Sequence, residues 1–265
     1  MQIEFERYIK SREKELIKNF NGSYKEIKKE LFKIYEKYEV DNKVDFDELR
    51  KYNRLRNFDD IVLASIATNS ALNKKAIREI LNDVVDKTEK ESFEVINGST
   101  DYVIRPIRRT FDTKALVSKE VAGKAWGDRL KHHTANFMYD VHGIVRQGLE
   151  RGDTYTTTAR ELKKKYGKEI KREITLVRTE SRRIQEFTKF ETMKEVDKQV
   201  ELVKVWHTMK DEAVRNSHQA MEGVEVGIDE EFILPSGITT LTPTGSGYPE
   251  EDCNCRCYLE YKVKD

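Results

Sequence analysis

The 265-residue sequence contains little proline, glycine or cysteine, with 4 Pro, 13 Gly and 3 Cys, and it has no long apolar run. So few turn-forming residues argue against many tight turns and favour long helices. No segment approaches the ~18 consecutive apolar residues of a membrane-spanning helix. The first ten residues, MQIEFERYIK, contain no apolar export signal. We therefore expect no membrane partner and a protein made in the cytoplasm under reducing conditions.

All three cysteines lie within five residues, at Cys253, Cys255 and Cys257. An odd and clustered set cannot supply a disulfide framework, and neighbours at this spacing rarely bridge each other. The cluster therefore indicates a special local structure and not an oxidising compartment.

Charge is abundant but unevenly distributed. Charged residues make up 37% of the chain, yet the net charge is only +1. Residues 102–183 contain 20 basic and 10 acidic side chains, whereas residues 201–265 contain 6 basic and 13 acidic ones. This asymmetry predicts a polyanionic partner for the basic part. An aromatic content of 9% argues against a disordered polar chain.

Apolar residues recur at helical spacing through most of the first 200 residues. We expect the first helix to end at the NGS of residues 21–23, with Ser23 capping the next one. A loop is predicted at 97–116, a helix end at Gly152, and the end of a short helix at Gly167.

From Gln199 onward the pattern changes to β-branched alternation. VELVKVWHTM and CYLEYKV predict strands, VEVGIDEEFILPSG predicts two brief ones, and residues 237–254 predict a loop. The fold class is therefore α+β, a long, mostly helical N-terminal region followed by a small C-terminal α+β module. The predicted regions are a helical 1–100, a helical 101–198 that leads into the module, and the module itself at 199–265.

Five short motifs occur in order near the C-terminus: an Arg-Thr-Glu helix, a Trp strand, Asp-x-x-x-Arg-x-x-His, Gly before a strand, and Asn-Cys-Arg-Cys. They lie in RTESRRIQEF (178–187), KVWHTMKDEAVRNSHQAMEG (204–223), PSG (235–237) and YPEEDCNCRC (248–257). Together they resemble the phage Mu F-like minor head protein family, also called phage head morphogenesis proteins. The resemblance covers about 145–262. The residues that carry it are Arg178, Glu180, Trp206, Asp211, Arg215, His218, Asn254, Cys255 and Cys257.

This resemblance implies a minor head protein of a tailed phage or prophage. Such a protein is expected to bind the portal protein and inner capsid, to contact packaged double-stranded DNA, and to act in head assembly or DNA ejection. Its expected location is the interior of the virion head near the portal, after assembly in the host cytoplasm. The amphipathic N-terminal helices would supply the surface for the protein partner.

Four charged residues, Arg178, Glu180, Arg182 and Arg183, lie on consecutive turns of one predicted helix. We interpret Arg178 and Glu180 as part of an ion-pair cluster that links this helix to the acidic module, because arginine suits a partly buried carboxylate. A catalytic glutamate among arginines is the alternative.

Asp211, Arg215 and His218 recur at i, i+4 and i+7, which predicts one helical face if the segment is helical. Some relatives carry Cys-x-x-Cys at the positions of Arg215 and His218, and together with the later cysteines that set resembles a structural zinc site. Arg215 cannot ligate a metal. We therefore expect no cofactor; if zinc binds, the ligands would be His218, Cys253, Cys255 and Cys257.

Basic residues beside aromatic ones are candidates for binding DNA phosphates: Arg105, Arg108, Arg109, Lys163, Lys164 and Lys165. Such binding is independent of sequence and sensitive to salt, and no recognition helix is apparent. The alternative interpretation is an ordinary solvated surface, or a basic face docked on the acidic module.

The sequence contains no Ser/His/Asp order, phosphate-binding glycine loop or His-Glu-x-x-His motif. We therefore predict a binding protein that is not an enzyme and has no small-molecule substrate. Two alternatives stay open: a nucleotide- or nucleic-acid-modifying enzyme built around Glu180, Asp211 and His218, and a non-specific nucleic-acid-binding protein of the host.

Overall fold

Long helices dominate the computed structural model, which describes residues 2–41, 43–51 and 55–264. The long helices are α1 (Gln2–Tyr38), α3 (Arg56–Gly98), α5 (Trp126–Glu150) and α6 (Tyr155–Asp197). The short ones are α2 (Phe46–Lys51), α4 (Thr113–Ser118), α7 (Asn216–Gln219) and α8 (Pro249–Asp252). No helix among the described residues is both long and apolar enough to cross a membrane.

Short strands pair antiparallel, and all but the first two lie in the C-terminal module. The strands are β1 (Glu39–Val40), β2 (Lys43–Val44), β3 (Leu202–His207), β4 (Glu225–Gly227), β5 (Phe232–Ile233), β6 (Thr239–Thr240) and β7 (Tyr258–Val263). Strand β3 lies between β4 and β7, and Trp206 of β3 pairs with Leu259 of β7. The predicted strands at β3 and β7 and the α+β class are confirmed. The segment predicted as loop over 237–254 also contains β6 and α8.

Two predicted helix ends are wrong. Helix α1 continues through Gly22, and α6 continues through Gly167. Neither glycine has the left-handed backbone typical of a helix terminus, and a Cβ at either position would meet nothing within 4 Å. An interior glycine costs about 1 kcal/mol relative to alanine, which is too little to end a helix stabilised by packing along its length. At Gly152, where φ is +70°, the predicted end of α5 is confirmed.

The chain folds into two compact units that are each assembled from separated segments. Unit 1 comprises Met1–Ile9, Arg78–Ala125 and Thr175–Asp265; unit 2 comprises Lys10–Ile77 and Trp126–Ile174. The predicted regions 1–100, 101–198 and 199–265 follow changes in sequence character. The compact units follow contacts, and α1, α3 and α6 each contribute residues to both.

Unit 2 has an aromatic core. The ring centroid of Tyr166 lies 4.8 Å from that of Phe137 and 5.2 Å from that of Tyr24, in edge-to-face geometry. Ser23 is buried in this core, where its hydroxyl lies 2.9 Å from the Tyr166 hydroxyl. It therefore satisfies a buried phenol and does not cap a helix, because α1 has no break at this point.

Among the residues that the structure describes, two apolar clusters of unit 1 lie beside its sheet. The first joins the end of α6 to β3 through residues such as Phe190 and Leu202. The second includes Trp206, Phe232, Cys255, Cys257 and Leu259. The cysteines therefore lie against the sheet, where most of the predicted motif residues are brought together.

Candidate functional site

Two segments of unit 1, residues 211–218 and 253–257, contact each other; we call this pair the clasp. Asp211 accepts a hydrogen bond from Arg256 at 2.5 Å. His218 is buried against two cysteine side chains of the second segment. Motifs separated by about 40 residues in sequence thus form one local structure.

Asp211, Arg215 and His218 do not share a helical face, because the condition for it is not met: only α7 is helical in this segment. Asp211 lies in a turn that its own carboxylate stabilises by accepting a backbone N–H at 3.1 Å. Arg215 has an extended backbone just before α7 and donates to the backbone carbonyl of Cys253. The three residues therefore reach the 253–257 segment from a turn, a cap and a short helix.

His218 connects the two halves of the clasp. Its Nδ1 lies 3.5 Å from the Sγ atoms of both Cys255 and Cys257. Its Nε2 lies 2.9 Å from Oε2 of Glu251, which also accepts a hydrogen bond from the Ser217 hydroxyl at 3.1 Å. Glu251 therefore orients the imidazole so that Nδ1 faces the thiols. Sequence reasoning missed Glu251, because an acid in the YPEED run has no spacing that marks it as a histidine partner.

These hydrogen bonds shift the pKa values of the buried groups. The pKa of Cys255 falls well below the usual thiol value because hydrogen bonds with Cys257 and His218 stabilise its thiolate despite burial. The hydrogen bond to Cys255, together with burial, raises the pKa of Cys257. Burial acts to lower the pKa of His218, but the hydrogen bond and charge of Cys255 raise it. The pKa shifts of Cys255 and His218 therefore arise in part from their hydrogen bond with each other.

The donor set in the clasp supplies three of the four ligands of a structural zinc site. The two Sγ atoms of Cys255 and Cys257 and a ring nitrogen of His218 lie within 4.8 Å of one another. Thiolate and imidazole are the donors zinc prefers, and Glu251 on the other ring nitrogen matches the usual outer partner of a metal-bound histidine. Cys253, the fourth residue considered from the sequence, is outside this group and only half-buried.

Two further motif residues hold the clasp in place. Trp206 is 1% exposed, with its ring centroid 5.6 Å from that of His218 and 5.2 Å from that of Phe232. Asn254 has a left-handed backbone with φ +56°, which asparagine tolerates better than most residues, and its N–H donates to Thr179 Oγ1 of α6 at 3.2 Å. Both residues support the loop without presenting a reactive group.

Glu180 and Arg183 form an ion pair within α6. Glu180 is 2% exposed and accepts from Nε of Arg183 at 2.9 Å. Arg183 also donates to the backbone carbonyl of Leu116 at 3.3 Å. The ion pair of Glu180 is therefore with a residue of α6 itself, whereas the sequence analysis predicted an ion pair between this helix and the acidic module.

Arg182 is a buried guanidinium that contacts the start of α1. It donates to Gln185 Oε1 at 2.6 Å and to a carboxylate oxygen of Glu6, and it lies 4.6 Å from the ring centroid of Phe5. Together with Arg178 it lines a cavity of about 260 Å³ beside the clasp. Sequence reasoning missed Phe5 and Glu6, because nothing in their spacing relates residues 176 positions away.

The links from α6 to the sheet come from residues that the sequence analysis did not select. Glu186 accepts the backbone N–H of Leu259 at 2.9 Å. Nζ of Lys189 donates to Oε1 of Glu186 at 3.1 Å and to the backbone carbonyl oxygen of Leu259 at 3.3 Å. Both side chains are buried. A glutamate three residues before a lysine usually indicates a solvated helix surface, so the pattern alone could not identify this contact.

The three arginines predicted to bind DNA lie in unit 1 and differ in their contacts. Arg109 pairs with Glu89 at 2.5 Å and Asp86 at 2.8 Å, so its charge is already neutralised. Arg105 and Arg108 are exposed, and among the residues that the structure describes neither has a carboxylate within ion-pair distance. Only these two of the three retain a free cationic head group.

The three predicted lysines lie in unit 2. Lys164 pairs with Glu161 at 2.7 Å, and Lys165 pairs with Asp140. Lys163 is exposed and, within the described part of the chain, has no carboxylate partner. Half of the predicted DNA-binding set is therefore engaged in ion pairs within the chain.

Glu180, Asp211 and His218 do not assemble into the catalytic cluster that the enzyme alternative requires. Their principal ionic partners are Arg183, Arg256 and Glu251 respectively. No hydrogen bond joins any two of the three among the described residues, and the cavity beside the clasp is lined by none of them. The three candidate catalytic residues are therefore each engaged with a different partner.

Comparison with known proteins gives a family match and two similar proteins. Residues 139–260, which include the whole clasp, match the family described as Phage Mu protein F like protein. The chain is 25% identical to minor head protein GP7 of Bacillus phage SPP1 over 99% of its own length and 87% of that protein. It is also 26% identical to NAD(+)–arginine ADP-ribosyltransferase EFV of Enterococcus faecalis (strain ATCC 700802 / V583), over 92% of its own length. It spans about half of the transferase, 53%. No solved structure is significantly similar to the chain.

Proposed function

Because residues 139–260 match the Phage Mu protein F like family, we propose that this chain is a minor head protein that acts in phage head morphogenesis by binding. The observation that carries the proposal is the extent of the similarity to the SPP1 minor head protein, which includes 99% of this chain and 87% of that protein. The self-contained hydrogen bonding of the clasp supports a role in holding the module together. The protein is accordingly a component of the virion head.

Its partners in the head are the portal protein and the inner capsid surface, and it joins them during assembly in the host cytoplasm. Support comes from the family and from the long helices, whose outer faces are solvated and available for contact. Co-sedimentation with proheads tests this. We expect the protein to pellet with portal-containing proheads and to bind portal-free shells several-fold more weakly. Equal recovery with both shells would remove the portal from the proposal, and recovery with neither would remove the role.

The protein also contacts packaged DNA without sequence preference, during head filling or ejection. The support is the excess of basic residues over 102–183 and the exposure of Arg105, Arg108 and Lys163. Each phosphate contact contributes ~0.9 to the slope of log affinity against log salt. Replacing these three residues by glutamine should lower that slope by up to about 3. The control is Lys198→Gln, at an exposed lysine outside the basic segment. An affinity for DNA that does not change with salt would contradict this part.

The chain works by binding and does not transfer ADP-ribose, although one relative is named as a transferase. The separate engagement of Glu180, Asp211 and His218 supports this. Incubation with labelled NAD⁺ and an arginine-rich acceptor protein should give neither labelled acceptor nor free nicotinamide above the background of a heat-unfolded sample. Transfer that depends on folded protein would overturn the proposal and favour the enzyme alternative.

A structural zinc ion, held by His218, Cys255 and Cys257, is the second proposal for the clasp. The bound ion would cross-link α7 to the 253–257 segment. Metal analysis of protein produced with added zinc should give close to one zinc per chain, and Cys255→Ser or Cys257→Ser should lose it. The matched control is Cys253→Ser, which should retain zinc. Metal-free protein, or loss of zinc in the control as well, would contradict the site.

A further inference from the structure

The outer face of α3 lacks charge in a chain that is otherwise 37% charged. Residues 61–73, IVLASIATNSALN, contain no Asp, Glu, Lys or Arg. One side of this stretch, including Val62 and Ile66, is buried in the core of unit 2. The opposite side is exposed, and we call it the α3 face: Leu63, Ala64, Ala67, Thr68, Ala71 and Leu72.

This surface is more apolar than a solvated helix requires. Leu63 and Leu72 are 46% and 49% exposed. Between them lie alanines and one threonine, small side chains that allow a second helix to approach closely. Charged residues resume at both ends, with exposed Asp60 before the face and exposed Lys75 after it. The face is thus a charge-free patch bounded by an acid on one side and a base on the other.

The order of residues is symmetric about the midpoint between Ala67 and Thr68. In an antiparallel pair of identical helices centred there, positions equidistant from the midpoint lie at the same level. Ala64 of one copy then meets Ala71 of the other, and Asp60 of one copy meets Lys75 of the other. The same operation places each Leu63 level with a Leu72 of the other copy, at the edges of the contact.

We propose that the α3 face binds a second copy of this chain, with the two α3 helices antiparallel across a twofold axis at Ala67 and Thr68. Charge complementarity indicates that the partner is a second copy of this chain. A contact across a twofold axis must be self-complementary, and both the small residues and the charges of the α3 face meet this condition. Asp60 and Lys75 lie on the same side of α3 but are about four turns apart, so they cannot pair within one helix, and a second helix is needed to bring an acid and a base together here.

The contact is small. Six exposed residues a side compare with the 20–30 a side of a standard stable interface. The dimer is therefore weak, and it forms where the local concentration is high. Low affinity of this kind suits a component that associates only when several copies are held together.

Sedimentation equilibrium of the full chain over a range of concentrations tests the proposal. The wild type should associate to a dimer with no larger species. Asp60→Lys and Lys75→Asp each place like charges at the same level, so each should weaken association about tenfold or more. The double variant, Asp60→Lys with Lys75→Asp, restores both pairs and should recover association to within about threefold of the wild type.

A control at an exposed position of the same helix separates the face from general charge effects. Lys90→Glu changes a side chain that is 76% exposed and outside the face, and it should leave association unchanged. Circular dichroism of each variant verifies folding. A wild type that stays monomeric to millimolar concentration, or a double variant as weak as the singles, would overturn the proposal. If the wild type is monomeric and the single variants no longer bind proheads, the α3 face binds another head component instead.

Discussion

Unit 2 and unit 1 bury carboxyl groups with opposite consequences. In unit 2, Glu173 of α6 is 4% exposed, and its Oε1 has no hydrogen-bond partner among the described residues. Burial, reinforced by neighbouring Glu169, raises the pKa of Glu173 to about 8. In unit 1, Glu222 accepts from the backbone N–H of Thr208 at 2.6 Å and from its hydroxyl at 2.8 Å.

Glu222 keeps its charge because donors surround it. Burial acts to raise its pKa, but the hydrogen bonds from Thr208, His207 and Lys210 lower the pKa to about 2. Glu251 behaves in the same way, since donors that include Ser217 and His218 lower its pKa despite burial. Glu173 and Glu251 are similarly buried, so the donors directed at a carboxylate, and not its depth alone, set the direction of its pKa shift.

The largest expected effect tests the neutral member of this comparison. Since the folded state raises the pKa of Glu173, its contribution to stability is present below about pH 4.5 and is lost as the pH rises through about 8. Glu173→Gln keeps the neutral shape. At pH 9 it should exceed the wild type in free energy of unfolding by about 2–4 kcal/mol, and at pH 4 the two should agree. Urea unfolding at both pH values measures this, and a pH-independent difference would contradict it.

A smaller effect tests the charged member. The folded state lowers the pKa of Glu222, so its contribution is present above about pH 4.5 and is lost as the pH falls through about 2. Glu222→Gln should lower the free energy of unfolding at pH 7 by about 1–2 kcal/mol, a figure reduced because the side chain is partly solvated. The difference should vanish near pH 2. Glu225→Gln, at an exposed position of β4, is the control and should have little effect at either pH.

The smallest expected effect comes from a substitution in α6 that changes helix propensity without changing any ionisable group. Gly167→Ala, two residues before Glu169, should raise the free energy of unfolding by about 0.5–1 kcal/mol, because the backbone is helical and the space for a Cβ is open. The gain should be equal at pH 4 and pH 9, unlike that of Glu173→Gln. Destabilisation would show that the helix does end at residue 167.

Much of the fold follows from local patterns. Helical spacing, β-branched alternation and the glycine after α5 predict the long helices, β3, β7 and the end at Gly152. Gly22 and Gly167 do not end helices, because a glycine stops a helix only when the chain adopts a left-handed turn there. Whether it does depends on packing partners elsewhere in sequence, such as Tyr166 for the segment around Ser23.

The candidate site is predictable in its composition and not in its connections. The motifs identify Trp206, His218 and the cysteines, which do meet in the clasp. Glu251 and Lys189 could not be selected, since an isolated acid or an i, i+3 pair is ordinary on any charged surface. Their roles arise from burial, which a single sequence does not reveal for charged side chains in a chain so rich in them.

The discontinuity of the two units has a consequence for synthesis on the ribosome. Every residue of unit 2 has been translated once residue 174 is added, so this unit has its complete sequence while the C-terminal part is still being made. Unit 1 needs Met1–Ile9 and Arg78–Ala125 together with the 91 residues of Thr175–Asp265. At 5–20 residues per second those first residues wait roughly 5–20 s for their final partners after unit 2 is complete. Arg182, which contacts Phe5 and Glu6, is added only eight residues after residue 174, whereas strand β7 of the same unit is completed at the end of that interval.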